Sequence, residues 1–199
     1  MADYVELDRI AKISRFRSGS GHDFSDSFES CRSMKHYFQP AGGEPGVSHS
    51  PSWTTLRIYS PLDGKVVRMF EEWAGAQIWI QSAVAPAFTV RLFHVKPIAG
   101  LKEGVTLRAG QLLGTHASDE TMSDIAVEQH LPDGRRALVS YFDVMTDAVF
   151  SHYRARGVAS RDLLIISKAA RDAAPLSCSG DRFLSPSRAD DWLTLHSPS

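Results

Sequence analysis

From Trp53 to Phe142 the chain alternates apolar and polar residues in short runs. The runs TTLRIYSP, KVVRMFEEW, AQIWIQSA, FTVRLFHV, GVTLRAGQLLGTH, SDIAVEQHL and RRALVSYF each keep a period near two. That period puts one face of each run in a core and the other toward solvent, the pattern of half-buried strands. Gly, Pro and the pairs Asp63-Gly64 and Asp133-Gly134 punctuate them as turns do. Short strands at close spacing predict an antiparallel β-sheet or sandwich. After Ser140 the period changes. Phe142, Met145, Val149 and Phe150 or Tyr153 recur at helical spacing, and Gly157 stands where a helix C-cap glycine belongs. Asp162–Lys168 adds a short apolar run leading toward a further helical turn, and Trp192 anchors a Pro- and Ser-containing tail.

The N-terminal quarter carries less pattern. Residues 1–16 suit a strand or a short helix. Residues 17–52 are rich in Gly, Ser, Pro and His and read as loop, with a short helix near Asp26–Tyr37. Gln39–Ser52 reads as an irregular connector. The expected fold class is therefore mainly β: a β core over residues 1–140, with an α-containing C-terminal extension over 141–199 packed on it.

Composition narrows the function classes. A chain of 199 residues with 43% apolar and 23% charged residues is globular and long enough for one cored domain. A formal net charge of −1 gives no electrostatic footprint for nucleic acid or an anionic membrane surface. No apolar run approaches the ~18–20 residues that cross a bilayer. The first residues carry acids and no apolar signal core, so the expected location is the cytoplasm. Cys31 and Cys178 lie far apart without Cys-x-x-Cys spacing and are expected as free thiols. Oligomeric state is open, and a homodimer is compatible with all of this.

The stretch Ser20–Asp26, SGHDFSD, holds the first candidate chemistry: His22 and Asp26 four apart, after Gly-Ser-Gly. Three later segments raise its weight. They are Ser60–Val66 (SPLDGKV), the strand end Phe93-His94-Val95 followed by Leu101–Gly114, and Ser123–Glu128 (SDIAVE). In this order the segments resemble the lysostaphin-type (LytM-like) zinc metallopeptidases, which share a duplicated hybrid motif core and cut cross-links in peptidoglycan. In that family a His-x-x-x-Asp motif binds zinc, which His22 and Asp26 would match. Asp63, Gly64 and Val66 match its following strand, and His94 matches its catalytic histidine. Gly104, Gly110, Gln111 and Gly114 match a glycine-marked hairpin, with Leu107 in place of the usual valine. The resemblance covers roughly residues 17–130.

The last motif departs from the pattern. Where the family has His-x-His, this chain has Asp124-Ile-Ala126, so Asp124 replaces the first, catalytic histidine and Ala126 the third zinc ligand. Glu128 keeps the family's acid. The resemblance implies a divalent metal, zinc first, held by His22, Asp26 and Asp124, with His94 and Asp124 as catalytic residues. His94 would serve as general base, oxyanion donor or substitute ligand. A His/Asp/Asp set is harder than His/Asp/His and would shift preference toward Mn, Ca or Mg. Each residue also has an ordinary reading. His22 suits a turn, and Asp26 suits a helix N-cap with Glu29 completing a capping box. His94 suits a half-buried strand histidine, and Asp124 a solvated strand residue. His36 and His116 stand in reserve beside the motifs.

Two functions follow. One is a metal-dependent hydrolase with altered ligands, acting on a peptide, ester or lactone bond of a small-molecule or peptide substrate, since a cytoplasmic protein does not meet peptidoglycan. The other is a non-catalytic binding or scaffolding module that keeps the cleft and has lost the metal. No nucleophile elbow, Walker loop or dinucleotide glycine loop is present in the sequence.

Overall fold

The computed structural model describes residues 1–41 and 53–197. Its strands are β1 (Ile10–Ser14), β2 (His36–Pro40), β3 (Arg57–Tyr59), β4 (Gly64–Glu72), β5 (Gly75–Ser82), β6 (Phe88–Pro97), β7 (Thr106–Leu107), β8 (Leu112–His116), β9 (Ser123–His130), β10 (Arg136–Val139), β11 (Cys178–Ser179), β12 (Arg182–Phe183) and β13 (Trp192–Thr194). Helices are α1 (Tyr141–Val144), α2 (Asp147–Ala155) and α3 (Lys168–Ala173). Among the described residues, eleven strands form one antiparallel sheet with the path β13-β1-β2-β9-β6-β5-β4-β7. β10 pairs with β9, and β8 bridges β6 and β3. The mainly β, antiparallel class holds.

The alternation read from the sequence sorts the faces. Ile78, Ile80, Val90, Leu92, Ile125 and Val127 are at most 1% exposed and point inward. Phe38, Tyr141, Phe142, Phe150 and Tyr153 close the same core from β2, α1 and α2. Each such side chain contributes about 1.5–3 kcal/mol by leaving water. The β9–β10 hairpin turns at Gly134, whose φ of +82° suits glycine. The Asp63-Gly64 pair does not join a hairpin: β3 pairs with β8, and β4 pairs with β5 and β7.

Two register features place the cleft. Along β6 the partner changes: residues 88–92 pair with β9 and residues 95–97 with β8. Between them β6 carries one extra residue against β5, since Ala76 faces Val95 while Ile78 faces Leu92. That bulge includes His94, held at φ +57°. A bulge re-aims a side chain and ends a pairing, and the sheet opens there. On the other side, Tyr37 of β2 lies opposite Asp124 of β9. Lys35, Tyr37 and Gln39 therefore share a face with Asp124 and Ala126.

Segment 141–199 does more than add helices, because β13 pairs with the outer edge of β1. Gly157 sits just past α2 at φ +90°. The short helix expected near Asp26–Tyr37 is absent; that stretch is loop ending in β2. Ala41 closes β2 as a turn, and the rest of the Gln39–Ser52 connector, with His49, lies outside the described residues. The free-thiol expectation is overturned: Cys31 and Cys178 form a disulfide, their Cα atoms 5.7 Å apart across a sequence separation of 147. Sequence distance hid this proximity, which exists only once the tail folds back on the N-terminal loop. No described helix is long and apolar enough to cross a membrane.

Candidate functional site

A cleft of about 600 Å³ opens where β6 changes partner. Tyr37, Gln39, His22 and His94 line it, with Trp73 from the β4–β5 hairpin on one rim and Ser187, Arg188 and Trp192 from the tail on the other. Lys12 reaches it from β1, and Glu120, Thr121 and Met122 from the loop before β9. His22 enters on an irregular loop whose backbone is held by side chains. The Asp23 carboxylate accepts from the N–H groups of Cys31 and Arg32 at 3.2 and 3.1 Å. Gly21 at φ +70° leaves room for Tyr37; a Cβ there would meet the Tyr37 hydroxyl at 2.1 Å. His22 Nδ1 donates to the Asp23 carbonyl at 2.9 Å, and its pKa is lowered by burial and then by the Lys35 charge.

Beneath the cleft lies an ion pair. Lys35 Nζ is 2.5 Å from Asp124 Oδ2, and the two side chains are 3% and 0% exposed. Phe93, Phe24 and Tyr37 turn ring faces to the ammonium at 4.2, 4.9 and 4.9 Å. Burial, the largest single influence, would lower the Lys35 pKa, but Asp124 and Tyr37 together outweigh it and the net direction is upward. Neither Asp124 oxygen has a well-formed hydrogen bond among the described residues, so Lys35 meets it as a charge. His94 Nε2 is 3.5 Å from Asp124 Oδ1, and His94 Nδ1 donates to the Ala74 carbonyl at 3.3 Å. His94 and Asp124 are thus brought together, and Asp124 is fully buried rather than solvated.

The expected metal set is not assembled. His22 reaches the cleft, but Asp26 does not. Asp26 Oδ1 accepts from the Phe28 and Glu29 N–H groups at 2.8 and 3.0 Å, and Oδ2 from Leu138 N–H at 2.8 Å. It caps a loop and ties that loop to β10, which is the capping role without the helix. Glu29 does not close a capping box; it pairs with Arg17 and Arg32. Among the described residues no group of three His, Cys, Asp or Glu side chains can hold a metal ion. The donor chemistry explains why. The face shared with Asp124 carries Lys35, just before β2, and Gln39, four residues on in β2, and β9 supplies Ala126, which packs with Phe16, Met34, Phe93 and Leu138. An ammonium on Asp124 repels a second cation. These residues do not fit a divalent metal.

The reserve histidines are structural. His36 is buried between the Ser14 carbonyl and the Ser140 hydroxyl, and burial lowers its pKa to about 4. His116 is held at about 4, by burial first, and Nε2 donates to the Thr121 carbonyl at 3.0 Å.

No protein-family model and no curated protein matches the chain. Solved structures similar to it include a chain of the SpoIIQ–SpoIIIAH pore-forming complex, at a TM-score of 0.45 and 11% identity, covering 80% of this chain and 96% of that one. The M23 metalloprotease pseudoalterin gives 0.41 and 16%, covering 72% and 73%. Lysostaphin gives 0.38 and 14%, covering 59% of this chain and 49% of its own. At such values these likenesses assign no role to any residue here.

Sequence reasoning missed Lys35, Tyr37, Gln39, Lys12 and Trp73. Only Trp73 carried a signal, a tryptophan in the tight EEWAG turn, where an apolar side chain has no core to enter.

Proposed function

We propose that the protein is a metal-free binding module, a peptidase-like sheet that keeps its cleft and holds the cleft floor with a lysine–carboxylate pair. The observation that carries this reading is the Lys35 ammonium on Asp124 inside an aromatic box. A hydrolase of the resembled type needs three donors and an open water position. Here the face around Asp124 carries a buried cation, a neutral amide and a core alanine. The Lys35–Asp124 pair supplies what a structural cation would supply: it neutralises a buried carboxylate and joins the loop before β2 to β9. His94, fixed by its bulge and by Ala74, then offers Nε2 as a recognition group rather than a general base. The Cys31–Cys178 bond supports an oxidising working environment on this reading, since such bonds persist there.

Turnover assays test the choice. Peptide, ester and lactone substrates are offered with zinc, manganese or calcium added. The reading predicts no rate above that of the His94→Ala variant. A metal-dependent rate that disappears in His94→Ala would restore the hydrolase.

A further inference from the structure

We infer that the cleft recognises an organic carboxylate attached to a flat apolar group. The inference rests on the binding reading above and deepens it. Charge gives the first argument. Lys12 lines the cleft from mid-β1, half-buried, and its ammonium makes no ion pair or hydrogen bond among the described residues. A partly desolvated cation without a partner carries a cost that an incoming anion relieves. Arg188 faces the same space, and its ion partner, Asp190, is 3.9 Å away on the exposed side. Among the described lining residues, Glu120 is the sole carboxylate. The Asp124 charge beneath the floor is already met by Lys35.

Shape gives the second argument. Trp73 is 78% exposed on its hairpin, with its ring 6.0 Å from that of His94. Trp192 is held on the opposite rim by its indole N–H, which donates to the Ser187 hydroxyl at 2.9 Å. Two indoles facing one cavity offer flat apolar walls whose burial a planar group would complete. The carboxylate would sit toward Lys12 and Arg188, and the apolar group toward Trp73.

Such a ligand has two sources, a free small acid or the C-terminus of a peptide, and Gln39 on the floor can meet a peptide bond with both donor and acceptor. Calorimetric titration with 3-phenylpropanoate, its primary amide and N-acetyl-L-phenylalanine separates them. The acids are expected to bind, with the amide weaker by about tenfold or more because the charge-assisted contact is lost. Added salt should weaken the acids and not the amide. Lys12→Ala and Arg188→Ala, checked for unchanged melting, should each reduce acid binding toward the amide level. Tighter binding of N-acetyl-L-phenylalanine than of 3-phenylpropanoate supports a peptide terminus, and equal binding supports a free acid. Equal binding of acid and amide, unaltered binding in both variants, or no binding of any probe overturns the inference. None of those outcomes touches the metal-free reading, which fails instead on metal uptake or turnover.

Discussion

Lys35 and Asp124 are each expensive to bury and inexpensive to bury together. Removing one partner leaves an uncompensated charge at an almost fully buried site, which costs about 3–5 kcal/mol. Replacing both by apolar residues of similar size is far milder. Urea unfolding of Lys35→Met, Asp124→Leu and the double variant should therefore show two large losses and a partial recovery. Strict additivity would mean that the pair is not coupled. Asp26 allows a sharper separation of roles. Its carboxylate satisfies three backbone N–H groups, so Asp26→Ala should lose about 1–3 kcal/mol of stability. Ligand binding in the cleft should be unchanged; loss of binding without loss of stability would return Asp26 to the site. Of these roles only the capping by Asp26 was legible beforehand, and that without its tie to β10. His-x-x-x-Asp drew attention to His22 and Asp26 because motif reading weighs donors. A lysine four residues before a glutamine announces nothing until the register sets it against β9.

At the scale of elements, the strands from β3 to β10 were visible because their alternation follows from burial of one face. The α1–α2 segment was visible because its period changes. Pairing was less visible. Asp63-Gly64 looks like a hairpin turn, yet Gly64 lies within β4, where a Cβ would meet the Gln81 carbonyl at 2.4 Å. The joining of the tail to β1, and of Cys178 to Cys31, depends on contacts across most of the chain, which no local pattern records. That disulfide ties the β11–β12 hairpin to the loop carrying His22, while Ser20 and Ser187 meet at 2.9 Å. Replacing both cysteines with serine should cost about 2–5 kcal/mol on the chain-entropy view. Calorimetric melting with and without reductant measures this. An unchanged midpoint would mean that β13 and Asp191, which pairs with Arg171, hold the tail unaided.

For the whole molecule, pH stability follows from two buried imidazoles. His36 and His116 are held neutral, with pKa values near 4 against about 6.5 in an unfolded chain. The unfolded state binds more protons between those values, so their contribution is complete above about pH 6.5 and is lost as pH falls toward about 4. Unfolding free energies measured across that window should rise with pH, and His36→Gln should flatten the slope. A flat profile in the parent protein would contradict the burial assigned to both rings. The absence of a net charge bias agrees with a cleft that selects by local cations rather than by a charged surface at large.

The central claim is that Lys35, Gln39 and Ala126, on the face that carries Asp124, leave the cleft without a donor set for a divalent metal. Elemental analysis by plasma mass spectrometry after zinc loading and desalting tests it most directly, comparing the parent protein with the triple variant Lys35→His, Gln39→Asp, Ala126→His. The account predicts no retained zinc in the parent and stoichiometric zinc in the variant. Stoichiometric zinc in the parent, lost on His22→Ala, would contradict it.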